Sequence, residues 1–234
     1  MRLGRFLSNC DVASRRNSEE IIMSGRVRVN GKIILDPAFG VDETVDVVDF
    51  DNKRLDWNAK NKKIYIMYHK PVGVISTMSK GQEKGLCVAD VINIPERIYP
   101  VGRLDQDSSG LLILTNDGDL THRLTHPSHK VQKEYEVRTI PKFMPNEYIR
   151  MARGVYIDGR KVGVDLIAET HGGRTLITIH EGRKRIIRRM FRELKYRVAE
   201  LKRLRIGELK LGSLGIGKWR KLTALEVKKL QEIG

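Results

Sequence analysis

Cysteine is nearly absent from this chain. Cys10 and Cys87 are the only two in 234 residues, so no disulfide framework is implied. Acidic residues are in short supply: 29 Asp and Glu stand against 44 Lys and Arg, a net charge of +15. No run approaches the ~18 apolar residues that a membrane span needs. The N-terminus, with Arg2, Arg5 and Asp11, lacks the apolar middle of a signal peptide. No internal repeat or low-complexity segment is found. These absences argue against a disulfide-stapled secreted domain and against a membrane protein. What remains is 40% hydrophobic and 31% charged, which suits an ordinary globular chain. A surplus of positive charge this large attracts polyanions, nucleic acid most commonly. An anionic membrane is the rival, but it calls for a hydrophobic run or an amphipathic basic helix. A cytoplasmic nucleic-acid-binding protein is expected, acting as a monomer and without a membrane partner.

Residues 1–48 read as a small basic module. Leu3, Phe6 and Leu7 recur at helical spacing. Ser14 is placed to cap a second helix through Ile21, Ile22 and Met23. In "GRVRVNGKIIL", Val27 and Val29 alternate, Asn30-Gly31 makes a turn, and Ile33 and Leu35 continue. Asn-Gly between such runs marks a hairpin, because both residues tolerate positive φ. "TVDVV" at 44–48 gives a further strand. Arg2, Arg5, Arg15, Arg16, Arg26, Arg28 and Lys32 surround these elements. Any one of them could be a solvated surface charge; as a cluster in so basic a chain they point to RNA. Residues 49–62 are polar and aperiodic and read as a linker, with Trp57 as the residue expected to pack one domain on the other.

From residue 63 to 234 the pattern is strand-rich with scattered helices, which implies an α+β domain. "KIYIMYHKP" is a strand stopped by Pro71, which also holds Lys70 extended. "GVIST" follows, then a loop "KGQEKG" at 80–85. "GLLILT" reads as a buried strand and "DLTHRLTH" as a short helix. "VQKEYEVRTI" is a strand with Tyr135 and Val137 on one face, and "NEYIRMARG" is a helix ending at Gly154. "RTLITIHEG" alternates as a strand. "KRIIRRMFREL" is a helix with Ile186, Ile187, Met190, Phe191 and Leu194 inward. "RVAELKRLRIGEL" returns as a strand, and Thr223 with Glu226 fits a capping box for a final helix.

The stretch "GRLDQDSSGLLILTNDGD" at 102–119 concentrates the scarce acids around an apolar core. A calcium loop is the first explanation to test. Asp105, Asp107, Ser109 and Gly110 fall at positions one, three, five and six of an EF-hand, but Asn116 occupies the position that needs a bidentate Glu. A serine hydrolase is excluded at Ser108 and Ser109 by the missing Gly-x-Ser-x-Gly elbow. Zinc at His122, His126 and His129 lacks both the His-Glu-x-x-His pattern and a nearby cysteine. No metal and no cofactor are expected. A lone catalytic carboxylate is the fourth explanation.

Several motifs carry a resemblance. "MRLGRFLSNCDVASRR…SGRVRVNGK" resembles the RNA-binding domain first seen in small-subunit ribosomal protein number four, a helix pair with a short antiparallel sheet. "GRLD" with "GLLILTNDG" resembles the signature of the pseudouridine synthases, in the branch acting on ribosomal RNA. "KPVGVIST" (70–77), "HPSHKVQKEYEV" (126–137), "EGRKRIIRRMF" (181–191) and "LKRLRIGELKLGSL" (201–214) follow in that family's order. Lys184 and Ile186 depart from its usual Asn and Gln.

The resemblance implies a helix-pair and antiparallel-strand RNA-binding domain, then a mixed-sheet pseudouridine synthase domain. It implies Asp105 as the catalytic aspartate, Tyr135 as the active-site tyrosine and Arg188 as the arginine that keeps the carboxylate ionised. Asp107, Ser108 and Ser109 would shape the loop, and Asp117 and Asp119 would end the strand and cap the next helix. Arg103, Arg185 and Arg189 are further RNA contacts, with Arg103 a candidate to fill the space a flipped uridine leaves. The expected partner is ribosomal RNA, large-subunit RNA favoured, or a ribosome-assembly intermediate. Two other readings stay open: a noncatalytic RNA-binding assembly factor, and a synthase acting on transfer RNA.

Overall fold

In the computed structural model, residues 1–57, 63–78, 81, 85–170 and 172–233 are described. They divide into two compact units, Met1–Lys63 with Pro95–Arg97, and Ile64–Ile94 with Ile98–Gly234.

The first unit opens with helices α1 (Leu3–Asn9) and α2 (Arg15–Met23). The Ser14 side chain accepts from the Asn17 amide, satisfying an N–H that the first turn leaves free. Strands β1 (Val27–Val29) and β2 (Lys32–Ile33) form the expected hairpin, with Asn30 and Gly31 both at positive φ. Strands β3 (Val48–Phe50) and β4 (Lys53–Arg54) complete an antiparallel sheet in the order β2-β1-β3-β4.

Two expectations change here. The strand placed at 44–48 begins only at Val48. Asp42 turns the chain before it, its carboxylate accepting from the Thr44 amide at 2.9 Å and the Thr44 hydroxyl at 2.7 Å, a local bond that competes with strand pairing. The stretch expected as linker from residue 49 instead carries the rest of β3 and all of β4. Polarity misled, because this two-strand edge faces solvent at Lys53 and Arg54. Residues 58–62 of that stretch lie outside the described residues. Trp57 stacks on Phe6 of its own unit at 5.2 Å between ring centroids.

The second unit contains β5 (Tyr65–Lys70), α3 (Val88–Val91), β6 (Tyr99–Pro100), β7 (Ser109–Thr115), α4 (Gly118–Thr125), β8 (Lys133–Ile140) and α5 (Pro145–Ala152). After these come β9 (Val155–Ile157), β10 (Arg160–Val162), β11 (Leu166–Glu169), β12 (Thr175–Ile179) and α6 (Ile186–Glu193). The chain ends with β13 (Arg197–Ile206), β14 (Leu209–Lys210), β15 (Trp219–Lys221) and α7 (Ala224–Gln231). The stretch "GVIST" forms no named strand; Ile75 makes an isolated bridge to Cys87. Most of the loop expected at 80–85 lies outside the described residues.

The main sheet runs β11-β12-β8-β13-β7-β5-β15, with β14 on β13 and β6 on β7. Its pairs are antiparallel except β7 with β13, which run parallel, so the sheet is mixed. Strand β7 explains its own apolar run: Leu112 and Leu114 face one core and Leu111 and Ile113 the other. A strand covered on both faces reads as continuously hydrophobic. On one face, α6 packs Ile187, Met190 and Phe191 against the sheet. On the other, α4 brings Leu120 and Leu124, and α7 brings Leu230. Thr223 and Glu226 make the capping box that opens α7. Among the described residues, no helix is long and apolar enough to cross a membrane.

Candidate active site

The turn between β6 and β7 carries Asp105, and it is held from several directions. The Ser108 amide donates to the Asp105 carbonyl at 3.0 Å, closing a tight turn. Gln106 and Gly73 exchange two hydrogen bonds, one through the main chain at 2.8 Å and one from the Gln106 amide side chain at 3.2 Å. Ser76, itself buried, donates to the Leu104 carbonyl at 2.8 Å and accepts from the Leu104 amide at 3.2 Å. The stretch after β5 is thus a brace for the aspartate turn.

Lys70 ends β5 fully buried. Its ammonium donates to the carbonyls of Pro71 (2.9 Å) and Val74 (2.7 Å). Burial pushes its pKa down to about 8, against the opposing charges of Asp105 and Asp107. Lys70 and Ser76 were not singled out in the sequence; the motif "KPVGVIST" that contains them was the available signal.

Helix α6 supplies the cations. Arg188 reaches two main-chain acceptors on separate segments, the Asp107 carbonyl at 2.7 Å and the Val198 carbonyl at 3.0 Å. It also stands 3.3 Å from the Asp107 carboxylate and 3.4 Å from the Ser108 hydroxyl. Burial lowers its pKa, partly offset by Asp107. Arg185, at the left-handed residue that precedes α6, makes a two-point contact with Asp107 at 3.2 and 2.7 Å. Its guanidinium is 4.0 Å from the Asp105 carboxylate. The closest ion pair of Asp105 is therefore with Arg185, whereas Arg188, the partner expected from the sequence, engages Asp107 and still acts on Asp105 through its charge. One turn of helix separates the two arginines, so only the tertiary register decides which faces which carboxylate. Burial raises the Asp107 pKa, but the Arg185 hydrogen bonds and both arginine charges outweigh it and the carboxyl sits below its ordinary range.

Asp105 and Tyr135 line one cavity of about 500 Å³, together with Arg103, Arg185 and Lys133. Tyr135, on β8, is 9% exposed and sits opposite Arg203 of β13 in register. The β8–β13 ladder slips between Arg203 and Arg205; such bulges re-aim side chains beside functional sites. Arg203 is buried and donates to the Leu111 carbonyl at 2.8 Å. Lys133 donates to the Val131 carbonyl at 3.0 Å, and burial, helped by the charge of Arg203, brings its pKa down to about 8. The cavity thus offers one phenol and two carboxylates, Asp105 and a Glu181 that is paired with Arg183 at 2.8 Å, on a wall otherwise rich in cations, a setting for an electron-rich ring and its phosphates.

The remaining candidates are dispersed. Asp117 caps α4, accepting from the Asp119 and Leu120 amides. Arg189 is tied to Asp158. In the first unit, Arg26 is bound to Asp51 and lies over the Phe50 ring at 4.8 Å, so it holds β3 as well as presenting charge. Arg2, Arg15, Arg16, Arg28 and Lys32 are exposed and Arg5 is half-buried. His122, His126 and His129 cluster, with His122 and His126 stacked at 4.7 Å. Among the described residues no group of three or more His, Cys, Asp or Glu side chains is placed to hold a metal ion.

Comparison with known proteins bears on this geometry. Residues 64–193 match the family model described as RNA pseudouridylate synthase, and residues 1–47 match the S4 domain. An uncharacterized RNA pseudouridine synthase of Aquifex aeolicus is 38% identical over 98% of this chain and 93% of its own length. The ribosomal large subunit pseudouridine synthase B of Bacillus subtilis is 37% identical over 99% of this chain and 96% of its own. A dual-specificity RNA pseudouridine synthase of Salmonella typhi is 36% identical over 95% of this chain and 75% of its own. A crystal structure of a pseudouridylate synthase superposes with a TM-score of 0.70 at 28% identity, covering 98% of this chain and 99% of that one.

Proposed function

Since the chain belongs to the RNA pseudouridylate synthase family and carries an S4 domain, we propose that it isomerises a specific uridine of large-subunit ribosomal RNA, with Asp105 as its single catalytic carboxylate. That the chain is an RNA pseudouridine synthase follows from the family. The choice of RNA leans on the name of the Bacillus subtilis relative. The dual-specificity name of the Salmonella typhi relative keeps a second RNA substrate as the alternative outcome.

The reaction breaks the N1–C1′ bond of uridine, rotates the uracil and joins C5 to C1′. Nothing is oxidised and no water enters the product. One carboxylate suffices for it, either as nucleophile or as a base toward the sugar. The observation that carries the assignment is the placement of Asp105 and Tyr135 on one cavity wall. Arg185 stands 4.0 Å from the carboxylate, an opposite charge at the mouth of the reacting group. Arg188 serves by fixing the Asp107 carbonyl and hence the turn that aims Asp105. The Tyr135 ring offers a face for the uracil, and its hydroxyl a group near C5. The uridine must leave its stack to enter, which costs a few kcal/mol in a paired region. Phosphate contacts from the exposed arginines of the S4 unit offset that cost, and Arg103, exposed on the cavity rim, is positioned to fill the vacated space.

The test uses unmodified large-subunit, small-subunit and transfer RNA labelled with tritium at uridine C5. Release from large-subunit RNA, at one mapped position, is expected. Release from transfer RNA alone would reject the substrate assignment.

A further inference from the structure

A second cavity, of about 750 Å³, lies beyond the other side of Arg185 and Arg188, between α6 and the start of β13. Its lining includes Lys184, Arg192, Lys195 and Arg197, with Tyr196 among them, and no carboxylate. Four arginines elsewhere in this unit are matched by acids: Arg138 with Glu200, Arg150 with Glu147, Arg205 with Glu134, Arg220 with Glu226. The four cations of the second cavity differ. None has a side-chain ion pair or hydrogen bond among the described residues, and all four are exposed. Like charges gathered without counter-charge repel one another, and an arriving polyanion relieves that repulsion while releasing its own counterions.

The arrangement is built by the helix. Positions 185, 188 and 192 share one face of α6 at spacings of three and four, while Ile187, Met190 and Phe191 anchor the opposite face in the core. Lys195 follows at φ +67, a left-handed position that Gly or Asn occupies at less cost, so a charged side chain is kept where a smaller residue would be easier. Tyr196 is half-buried with its ring edge-on to Phe143 at 4.9 Å. Lys184 and Arg185 line both cavities.

We infer that this groove binds the sugar-phosphate backbone of the RNA strand flanking the target uridine, continuing the path out of the catalytic cavity across Lys184 and Arg185. The inference rests on the proposed reaction at Asp105 and adds to it the course of the strand. Cations without a rigid two-point partner suit phosphate recognition without base reading, so the groove contributes affinity and direction and leaves sequence choice to other contacts.

The experiment compares full-length wild type with the triple variant Arg192→Gln, Lys195→Gln, Arg197→Gln, using protein-free RNA containing a uridine that the wild type modifies. One fragment extends well beyond that uridine and one is trimmed to its immediate surroundings. On the long fragment the slope of log affinity against log salt is expected to be shallower in the variant by about two, three contacts at roughly 0.7 each for single strands. On the trimmed fragment the two proteins should converge. The corresponding variant Arg192→Lys, Arg197→Lys should keep the wild-type slope. Lys195→Gly should raise the melting temperature yet weaken binding to the long fragment, a combination that a purely structural role would not produce. Equal slopes on the long fragment, or an equal deficit on both fragments, would overturn the inference. So would a deficit seen only on ribosomal particles and not on bare RNA, which would indicate an acidic protein surface. Failure of the wild type to modify any RNA would instead count against the proposed reaction, and is read separately.

Discussion

Gly110 of β7 lies so close to Arg203 of β13 that a Cβ on it would stand 2.2 Å from the Arg203 carbonyl oxygen and 2.5 Å from its amide nitrogen. Its φ of +111 is also one that side-chain-bearing residues rarely adopt. This is where the parallel β7–β13 pairing forms, five residues after Asp105. Gly110→Ala should therefore cost about 3 kcal/mol or more, from strain and overpacking together. Urea denaturation measures it, and an unchanged midpoint would show that the two strands can part cheaply.

Asp105→Asn should slow isomerisation by about a thousandfold or more, ~4 kcal/mol in the barrier. Stability should change by no more than ~0.5 kcal/mol, because the Asp105 side chain is 31% exposed and its ion pair is long. Tritium release and thermal unfolding are the two measurements. Turnover at the wild-type rate would remove the aspartate from the mechanism.

Arg188→Lys should lose one of the two main-chain contacts, since a single ammonium cannot span the Asp107 and Val198 carbonyls as the guanidinium does. A stability loss of about 1–3 kcal/mol and a rate about ten- to a hundredfold lower are expected. If the rate falls with no change in stability, Arg188 acts on the substrate and not on the turn.

The pH dependence of stability follows from Lys70. Burial lowers its pKa from an ordinary 10.5 to about 8, so between those values the unfolded chain binds more protons than the folded one. Its contribution to stability is then unfavourable below pH 8 and improves as pH rises toward 10.5. Wild type should gain on the order of 1–3 kcal/mol relative to Lys70→Met between pH 8 and 10. Denaturant titrations at the two pH values compare them; parallel pH profiles would mean that Lys70 is not the titrating group.

Treatment with EDTA should leave turnover intact at moderate ionic strength, because the proposed chemistry uses a carboxylate and moves no electrons to an acceptor. Should activity disappear and return with one metal, with RNA folding unchanged, a lone carboxylate is the wrong mechanism.

Local elements were determined by short stretches of sequence. Ser14 before α2, Asn30-Gly31 between β1 and β2, and Thr223 with Glu226 before α7 each act within four residues, so the sequence alone placed them. The alternation of α6 and the unbroken apolar run of β7 likewise declared which faces meet a core. Polarity was a poorer guide, as β4 in the expected linker shows: an exposed edge strand and a linker have the same composition. Motif order brought Asp105 and Tyr135 forward as candidates before any geometry was available. Tertiary structure decided which partners they meet. Residue 110 reaches residue 203 only because the sheet sets β7 beside β13, and Arg185, expected only as an RNA contact, stands nearest Asp105 while Arg188 engages Asp107 only through how α6 is rotated over the Asp105 turn. Lys70 stands out in sequence only as the residue that Pro71 holds extended at the start of the stretch 70–77, and nothing local declares that it is fully buried. Its burial depends on a packing arrangement that no window of neighbouring residues encodes, because the energy that holds it comes from contacts made across the whole sheet.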